Sequence, residues 1–263
     1  MIEPEVLRSP ANPFVKEVRR AVERGTLTRN GCCVAESFHL LEEALRSGCR
    51  IEAVLASESA RSAVERRLRG SCRLRLVVLA DSLFDTVAGT ESTQGVLALV
   101  RPPSWTLDRL FREPSLVIVL DRLQDPGNAG AILRAAEAFG ATGVVGLKGT
   151  VSPYNPKAVR ASAGSVFRVP LVWGLEETAA LTALQQQRLD LYAAAPSGRR
   201  LLDEADLRRG CALIIGSEGR GVSHTLRAAS TEIRIPTSGV ESLNAAVAAA
   251  ILLYEARRQR SLP

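Results

Sequence analysis

Four nearly unbroken apolar runs in the second half of the chain constrain its fold most strongly. They lack the alternation of polar and apolar residues of a half-exposed strand, and they read LVIVL (116–120), GVVGL (143–147), LYAAA (191–195) and CALIIG (211–216). Such runs are typical of parallel strands buried on both faces. Helical patterns lie between them, over residues 129–139 and 176–187. The second half therefore predicts a doubly wound α/β domain, with ligand loops at the carboxyl ends of its strands.

The first hundred residues predict a smaller α/β unit that precedes this domain. Short strand patterns alternate there with helical ones, for example at residues 32–35 and 51–56. The prolines around residues 102–103 and at 114 then interrupt any regular element. We expect a first domain over residues 1–103, a linker over 104–114 and a second domain over 115–263.

Composition excludes several classes of protein and of chemistry. The longest apolar run, Ala245 to Leu253, has nine residues, about half a membrane span. With no secretory signal pattern at the start, we expect a soluble, cytoplasmic protein. The chain has 5 cysteines with no C-x-x-C pair, and 2 histidines. We therefore expect buried, reduced thiols and no metal, disulfide or histidine-based catalytic site.

The net charge of +6 is compatible with RNA binding and does not establish it. Arginine supplies nearly all the basic residues, either because it suits contact with phosphates or because of codon bias. Two clusters are candidates for an RNA surface or simply for a solvated face. They are Arg19, Arg20, Arg24 and Arg29, and Arg66, Arg67, Arg69, Arg73 and Arg75.

The first two of three polar loops in the second half follow apolar strands directly. The first, DRLQDPGN, covers residues 121–128, and the pattern predicts that Asn128 caps the next helix, which carries Arg134. This is either a plain turn and cap or a phosphate or ribose site. The second, GSEGRG, covers residues 216–221, and its glycines allow close backbone approach to a ligand. A hairpin turn is the alternative for this second loop.

The third loop, residues 233–244, reads IRIPTSGVESLN and leads into an alanine-rich helix. Pro236 ends a strand, Gly239 permits a tight turn, and Ser242 is predicted to cap the final helix. Considered alone, this loop is an ordinary turn followed by a helix cap.

Together, the three segments resemble the motifs of a known family. LDRLQDPGNAGAILRAAEAFG, LIIGSEGRGVS and IRIPTSGVESLNAAVAAAILLYE are similar to motifs 1, 2 and 3 of the SpoU (TrmH-type) ribose methyltransferases. The segment KAVRASAG, residues 157–164, also resembles that family. Upstream, CVAESFHLLEEAL and TQGV are similar to the substrate-binding domain commonly fused in front. The resemblance spans nearly the whole chain.

This resemblance implies transfer of a methyl group from S-adenosylmethionine to a ribose 2′-hydroxyl of RNA, with ribosomal RNA ahead of transfer RNA. It implies a catalytic domain of the SPOUT superfamily, an α/β fold with a deep trefoil knot, that works as a homodimer through this C-terminal domain. The N-terminal domain resembles small RNA-binding modules of certain ribosomal proteins. A membrane or a metal ion is not expected as a partner.

The resemblance also assigns residue roles. It places in the acceptor site Asn128, Arg134, Glu218, Ser242 and Asn244. It places in the cofactor site Ala194, Gly216, Ser217, Gly219, Ile235 and Leu243, largely through backbone groups. A guanidinium keeps its proton in proteins, so Arg134 is better suited to hold a phosphate or a developing alkoxide than to act as a base.

Two departures from the family pattern concern the third motif. Thr237 stands where the family usually has methionine or another apolar residue, and the stretch between Ile-Pro and Ser-Leu-Asn is one residue shorter. A shortened loop could reshape the cofactor site, which leaves an RNA-binding protein of the same fold without catalysis as the alternative. A nucleotide-dependent oxidoreductase is disfavoured because the G-x-G-x-x-G fingerprint is missing.

Overall fold

The computed structural model of the protein describes residues 4–69 and 74–261. Its contacts divide the chain into two compact units. The first unit contains residues 1–103 and 152–168, and the second contains residues 104–151 and 169–263.

The helices and strands of the described residues are numbered in chain order. The strands are β1 (Glu5–Leu7), β2 (Cys33–Glu36), β3 (Arg50–Ser57), β4 (Arg75–Leu79), β5 (Val96–Arg101), β6 (Leu116–Asp121), β7 (Gly143–Leu147), β8 (Leu171–Leu175), β9 (Asp190–Ala194), β10 (Arg200–Leu201), β11 (Cys211–Gly216) and β12 (Thr231–Arg234). The helices are α1 (Pro13–Arg24), α2 (Phe38–Arg46), α3 (Arg61–Arg67), α4 (Asp81–Asp85), α5 (Pro126–Ala138), α6 (Pro156–Ala161), α7 (Glu177–Gln186), α8 (His224–Ala228) and α9 (Ala245–Arg260).

The first unit is built on a mixed sheet in the order β1-β4-β3-β5-β2. The strands β1, β4 and β3 are parallel, and β5 pairs antiparallel with both β3 and β2. Helix α1 buries Val15 and Val18 in a core shared with Leu55 of β3 and Phe84 of α4. The strands predicted from the sequence are present, and β1, with only three residues, is an addition that no alternation pattern signals.

Residues 152–168 pack within the first unit, although strands of the second unit flank them in sequence. The Arg160 Nη1 atom lies 3.2 Å from Glu36 Oε2, and Glu36 is almost fully buried. Arg168 pairs in the same way with Glu43. Two buried carboxylates thus hold this segment. Its contacts group it with the first unit, whereas composition led us to expect all residues after the linker at 104–114 in the second domain.

The second unit is a parallel sheet in the order β10-β12-β9-β11-β6-β7-β8. Strands β6 and β7 are completely buried, which confirms the interpretation of the apolar runs as parallel strands covered on both faces. The register pairs Cys211 with Leu116 and Gly216 with Asp121. The carboxyl ends of β6 and β11 therefore coincide, and the first two polar loops begin side by side.

Part of the expected linker contributes to the core of the second unit. A short 3-10 turn covers Leu107–Leu110, and Leu110 is fully buried. Leu110 packs so closely on Gly143 of β7 that a Cβ at Gly143 would lie 2.2 Å from the Leu110 Cγ atom. Residues around Leu110 therefore belong to the packed structure of this unit.

Helices α5 and α9 pack against each other, and their side chains meet at both ends. At the start of the two helices, Asn128 contacts Asn244. Toward their ends, the rings of Phe139 and Tyr254 meet edge to face with centroids 5.9 Å apart. The two helices therefore run in the same direction. Across residues 4–69 and 74–261, the helices are all too short or too polar to cross a membrane.

Candidate active site

A cleft of about 610 Å³ opens at the carboxyl ends of β9, β11 and β12 in the second unit. This size lies within the range of small-molecule sites. Its apolar wall includes Ile215 and Ile233, and Glu218 and Glu241 bring carboxylates to its lining. The loop between β12 and α9 completes the cleft.

Most residues that the resemblance assigned to the cofactor line this cleft. They are Ala194, Gly216, Ser217, Ile235 and Leu243. Gly219 is the exception among the assigned residues: it is exposed in the same loop and is not part of the described lining. Glu241 and Arg234 also line the cleft, and the sequence interpretation missed both, although they directly flank assigned residues.

The glycine-rich loop after β11 folds back on itself at Gly216. A Cβ on Gly216 would lie 2.0 Å from the carbonyl carbon of Gly221, so glycine is required there. Gly221 adopts a left-handed φ of 63° and donates its N–H to the Ser217 carbonyl oxygen over 2.8 Å. The close approach predicted for Gly216 therefore exists, and its partner is the loop's own backbone.

A chain of side-chain hydrogen bonds joins the three polar loops. The Asn128 Nδ2 atom donates to Glu218 Oε1 over 2.6 Å. The Asn244 Nδ2 atom donates to Asn128 Oδ1 over 3.0 Å. Three residues that lie far apart in sequence and were expected in one acceptor site thus contact one another. Glu218 and Asn244 line the cleft, and Asn128 is not part of its described lining.

The cap of α9 fixes which way these amides point. Asn244 Oδ1 accepts hydrogen bonds from the N–H groups of Ala246 and Val247, so its Nδ2 is left to donate to Asn128. Asn128 Oδ1 is then the acceptor, and its Nδ2 must face Glu218. The orientation of each amide therefore follows from its neighbour, and the chain ends on the Glu218 carboxylate.

Two predicted helix caps were wrong. The cap of α5 is Asp125, whose carboxylate accepts from the Asn128 N–H over 2.6 Å, because Pro126 already fits the first helical position. The cap of α9 is Asn244 in place of Ser242. Ser242 remains exposed and lines the cleft two residues earlier. The side chains of Asn128 and Ser242 therefore have no capping role.

Arg134 lies exposed on α5 and does not line the cleft in the described part of the chain. Its guanidinium makes no hydrogen bond or ion pair with any residue that the structure describes, although many other arginines are paired. Among the expected acceptor-site residues, Arg134 is therefore the one that this chain does not bring to the others.

The sequence interpretation gave no role to Asp121, which positions the second loop. Its carboxylate is buried, accepts from the Ser223 N–H over 2.7 Å and pairs with Arg122 Nε at 3.0 Å. This ties the start of α8 to the end of β6. A single acidic residue that closes a fully apolar run is the signal that could have revealed it.

The arginine clusters of the first unit are only partly free. Carboxylates pair with Arg20, Arg29, Arg67 and Arg75, and Thr86 accepts from Arg19. The side chains without a described partner are Arg24, Arg66 and Arg69. Arg73 lies outside the described residues.

The cysteines match the expectation of buried thiols at the positions described. Cys32, Cys33 and Cys211 are buried and unpaired, and Cys49 is half-buried. Burial raises the pKa of the Cys32 and Cys211 thiols to about 11. Cys72 lies outside the described residues. Among the side chains that the structure describes, no group of three or more histidine, cysteine or acidic residues is placed to hold a metal ion.

The chain is similar to known proteins over nearly its whole length. Residues 115–254 match the SpoU rRNA methylase family, and residues 12–98 match the MRM3-like substrate-binding domain. An uncharacterized tRNA/rRNA methyltransferase from Synechocystis is 34% identical over 97% of this chain and 94% of its own length. The 23S rRNA (guanosine(2553)-2′-O)-methyltransferase RlmP of Bacillus subtilis is 30% identical over 95% of this chain and 98% of its own.

A solved structure is similar over the same extent. The SpoU methyltransferase AviRb from Streptomyces viridochromogenes, in complex with the cofactor AdoMet, superposes with a TM-score of 0.85 at 29% identity. The match covers 95% of this chain and 98% of that one.

Proposed function

The chain belongs to the SpoU rRNA methylase family, and from this and its cleft we infer that it methylates a ribose 2′-hydroxyl of ribosomal RNA. The methyl donor is S-adenosylmethionine, the cofactor seen in the similar AviRb structure. The hydrogen-bond chain from Glu218 through Asn128 to Asn244 carries this proposal, because it assembles one polar site from three separate loops beside the cleft.

The cleft fits the cofactor in shape and in charge. Its apolar wall, with Ile215 and Ile233, suits an adenosine, and Gly216 brings backbone groups to the lining. A sulfonium is a cation, and the two carboxylates of Glu218 and Glu241 outnumber the one guanidinium, that of Arg234, in the lining of this cleft. Of the expected cofactor residues, Gly219 contributes only through the loop that it shares with Ser217.

When bound, S-adenosylmethionine supplies an electrophilic methyl group. The protein then has to hold the ribose hydroxyl in line and favour loss of its proton, which is mainly a matter of positioning. Asn128 fixes Glu218 through Oε1, and Glu218 Oε2 makes no hydrogen bond with the described residues. We place the ribose hydroxyl against this free oxygen, with Ser242 and Asn244 beside it.

Although the chain does not bring Arg134 to the other acceptor-site residues, we propose that it acts on the bound RNA as a permanent cation. A protonated guanidinium stabilises a developing alkoxide or holds the phosphate next to the target ribose, and neither role requires it to lose a proton. Its side chain has no competing partner among the described residues, so it is free to meet RNA.

The first unit supplies RNA contacts that select the substrate. Its exposed arginines that have no partner among the described residues, Arg24, Arg66 and Arg69, suit phosphates, and few aromatic side chains are available for stacking. The double variant Arg66→Ala/Arg69→Ala should raise KM for RNA and leave S-adenosylmethionine affinity unchanged. Arg61→Ala, which removes an arginine already paired with Glu65, is the matched control.

We propose that the second unit forms a homodimer through α9. Val247 and Tyr254 lie seven residues apart on one face of this helix and are 48% and 55% exposed, and Val240 just before it is 56% exposed. Exposed apolar side chains in such a row are costly in water and typical of an interface. Tyr254→Asp should convert a dimer into a monomer in light scattering; a wild-type monomer would contradict the proposal.

The trefoil knot is likewise a proposal for the second unit. Strand β12 is separated from β6 by β9 and β11, yet α9, which follows β12, packs on α5, which follows β6. The chain after β12 thus crosses back over β9 and β11 to reach α5. A knot requires the end of the chain to pass back through an earlier part of the fold, and this crossing is our basis for proposing one. We also propose a cytoplasmic location, where ribosomal RNA and the cofactor are both present.

Calorimetric titration with S-adenosylmethionine, with NAD as control, tests the cofactor assignment. Binding of S-adenosylmethionine alone supports it. Binding of neither supports the alternative of an RNA-binding protein without catalysis, and binding of NAD alone supports an oxidoreductase.

A further inference from the structure

The middle of the loop between β12 and α9 is exposed, although the loop forms one side of the cleft. Residues 236–242 are all exposed, and Thr237, Glu241 and Ser242 line the cleft. Such a loop has little packing to hold its backbone in one conformation. Its shape must therefore come from local hydrogen bonds and backbone preference.

One hydrogen bond closes this loop. The Thr237 Oγ1 atom donates to the Val240 carbonyl oxygen over 3.1 Å. Within the described part of the chain, no other hydrogen bond involves residues 236–242. Between the two residues, Gly239 adopts a left-handed φ of 79° with open space around its Cα, which lets the chain turn. The hydroxyl and the glycine together form a closed turn.

We propose that Thr237 is a positioning residue for S-adenosylmethionine, and that its hydroxyl holds this loop in the shape that binds the cofactor. Methionine, the usual family residue here, has no hydroxyl and could not make this bond. The inference rests on the proposed function, since it concerns the cofactor of that same cleft.

The binding test compares variants that differ by one hydroxyl. Thr237→Val keeps the shape of the side chain and removes the hydrogen bond, whereas Thr237→Ser keeps the bond. Ser238→Ala is the matched control, because it removes a neighbouring exposed hydroxyl that has no described partner. We expect Thr237→Val to raise Kd for S-adenosylmethionine about two- to tenfold, the effect of losing one hydrogen bond. Thr237→Ser and Ser238→Ala should stay within about twofold of wild type.

A second measurement separates positioning from direct contact with the cofactor. Without ligand, glutamyl endopeptidase can cut after Glu241, and the cut is followed by mass spectrometry. If the hydroxyl holds the loop, Thr237→Val is cut about two- to tenfold faster than wild type and Ser238→Ala is not. Equal cutting rates, or a Thr237→Val variant that binds like wild type, would overturn the inference. A wild-type protein that does not bind S-adenosylmethionine would instead refute the proposed function.

Discussion

Replacing Asn128 with alanine should separate methyl transfer from cofactor binding. The change removes the donor that holds Glu218 and the acceptor for Asn244. A hydrogen bond to a carboxylate contributes about 1.5–3 kcal/mol and a neutral one about 0.5–1.5 kcal/mol. Because Glu218 is exposed, we use the lower end of each range, about 1.5 kcal/mol and about 0.5 kcal/mol. Their sum, a loss of about 2 kcal/mol of transition-state stabilisation, lowers the rate about 30-fold.

Cofactor affinity should change little in Asn128→Ala, because Asn128 does not line the described cleft and Glu218 keeps its charge there. The assay is single-turnover transfer of a labelled methyl group to ribosomal RNA at saturating S-adenosylmethionine, with Kd measured separately by calorimetry. The matched control is Gln124→Ala, since this amide in the same loop donates only to the backbone oxygens of Arg122 and Gly149. A normal rate in Asn128→Ala, or equal losses of rate and affinity, would refute the reasoning.

Three further predictions concern other parts of the chain. Arg134→Ala should lower methyl transfer by about 100-fold or more with Kd for S-adenosylmethionine within about twofold, and equal loss of both would show that the residue is misassigned. Arg260→Ala should lower Tm by several degrees in calorimetry, because this guanidinium donates to the backbone oxygens of Leu207, Pro114, Ser115 and Arg209; an unchanged Tm would contradict this. Cys32 and Cys211 should resist iodoacetamide at pH 8 in the native protein, since burial raises each thiol pKa to about 11 and keeps the thiol neutral; labelling as fast as in unfolded protein would refute it.

Four strands of the second unit's sheet, β6, β7, β9 and β11, were predictable because their signal is local and strong, whereas β8 and β10 were not predicted. A parallel strand covered on both faces must be apolar throughout, so each run could be identified alone. The shared register of Gly216 and Asp121, by contrast, depends on strand order, which no local pattern encodes. Only the family resemblance placed the first two loops in one site before the structure did.

The caps show where sequence interpretation fails by a few residues. Asn128 and Asp125 are both good capping residues three positions apart, and Pro126 decides between them because its ring fits the first turn. Ser242 and Asn244 present the same ambiguity. The true cap at Asn244 matters for the site, because capping with Oδ1 turns Nδ2 toward Asn128.

The packing of residues 152–168 could not be predicted from composition. Glu36 and Glu43 lie in an apolar region of the first unit, and their partners Arg160 and Arg168 come more than a hundred residues later. A deletion of residues 1–103 would strip this segment of its partners. Point variants are therefore the cleaner way to test the substrate role of the first unit.

The central claim is that this chain methylates ribose in RNA, and nucleoside analysis after the reaction tests it most directly. Unmodified ribosomal RNA is incubated with the protein and S-adenosylmethionine that carries a labelled methyl group, then digested to nucleosides and examined by mass spectrometry. The account predicts label on the ribose 2′-oxygen of one nucleotide, at a yield that falls in Asn128→Ala. Label on a base, or no label from a protein that binds the cofactor, would contradict it.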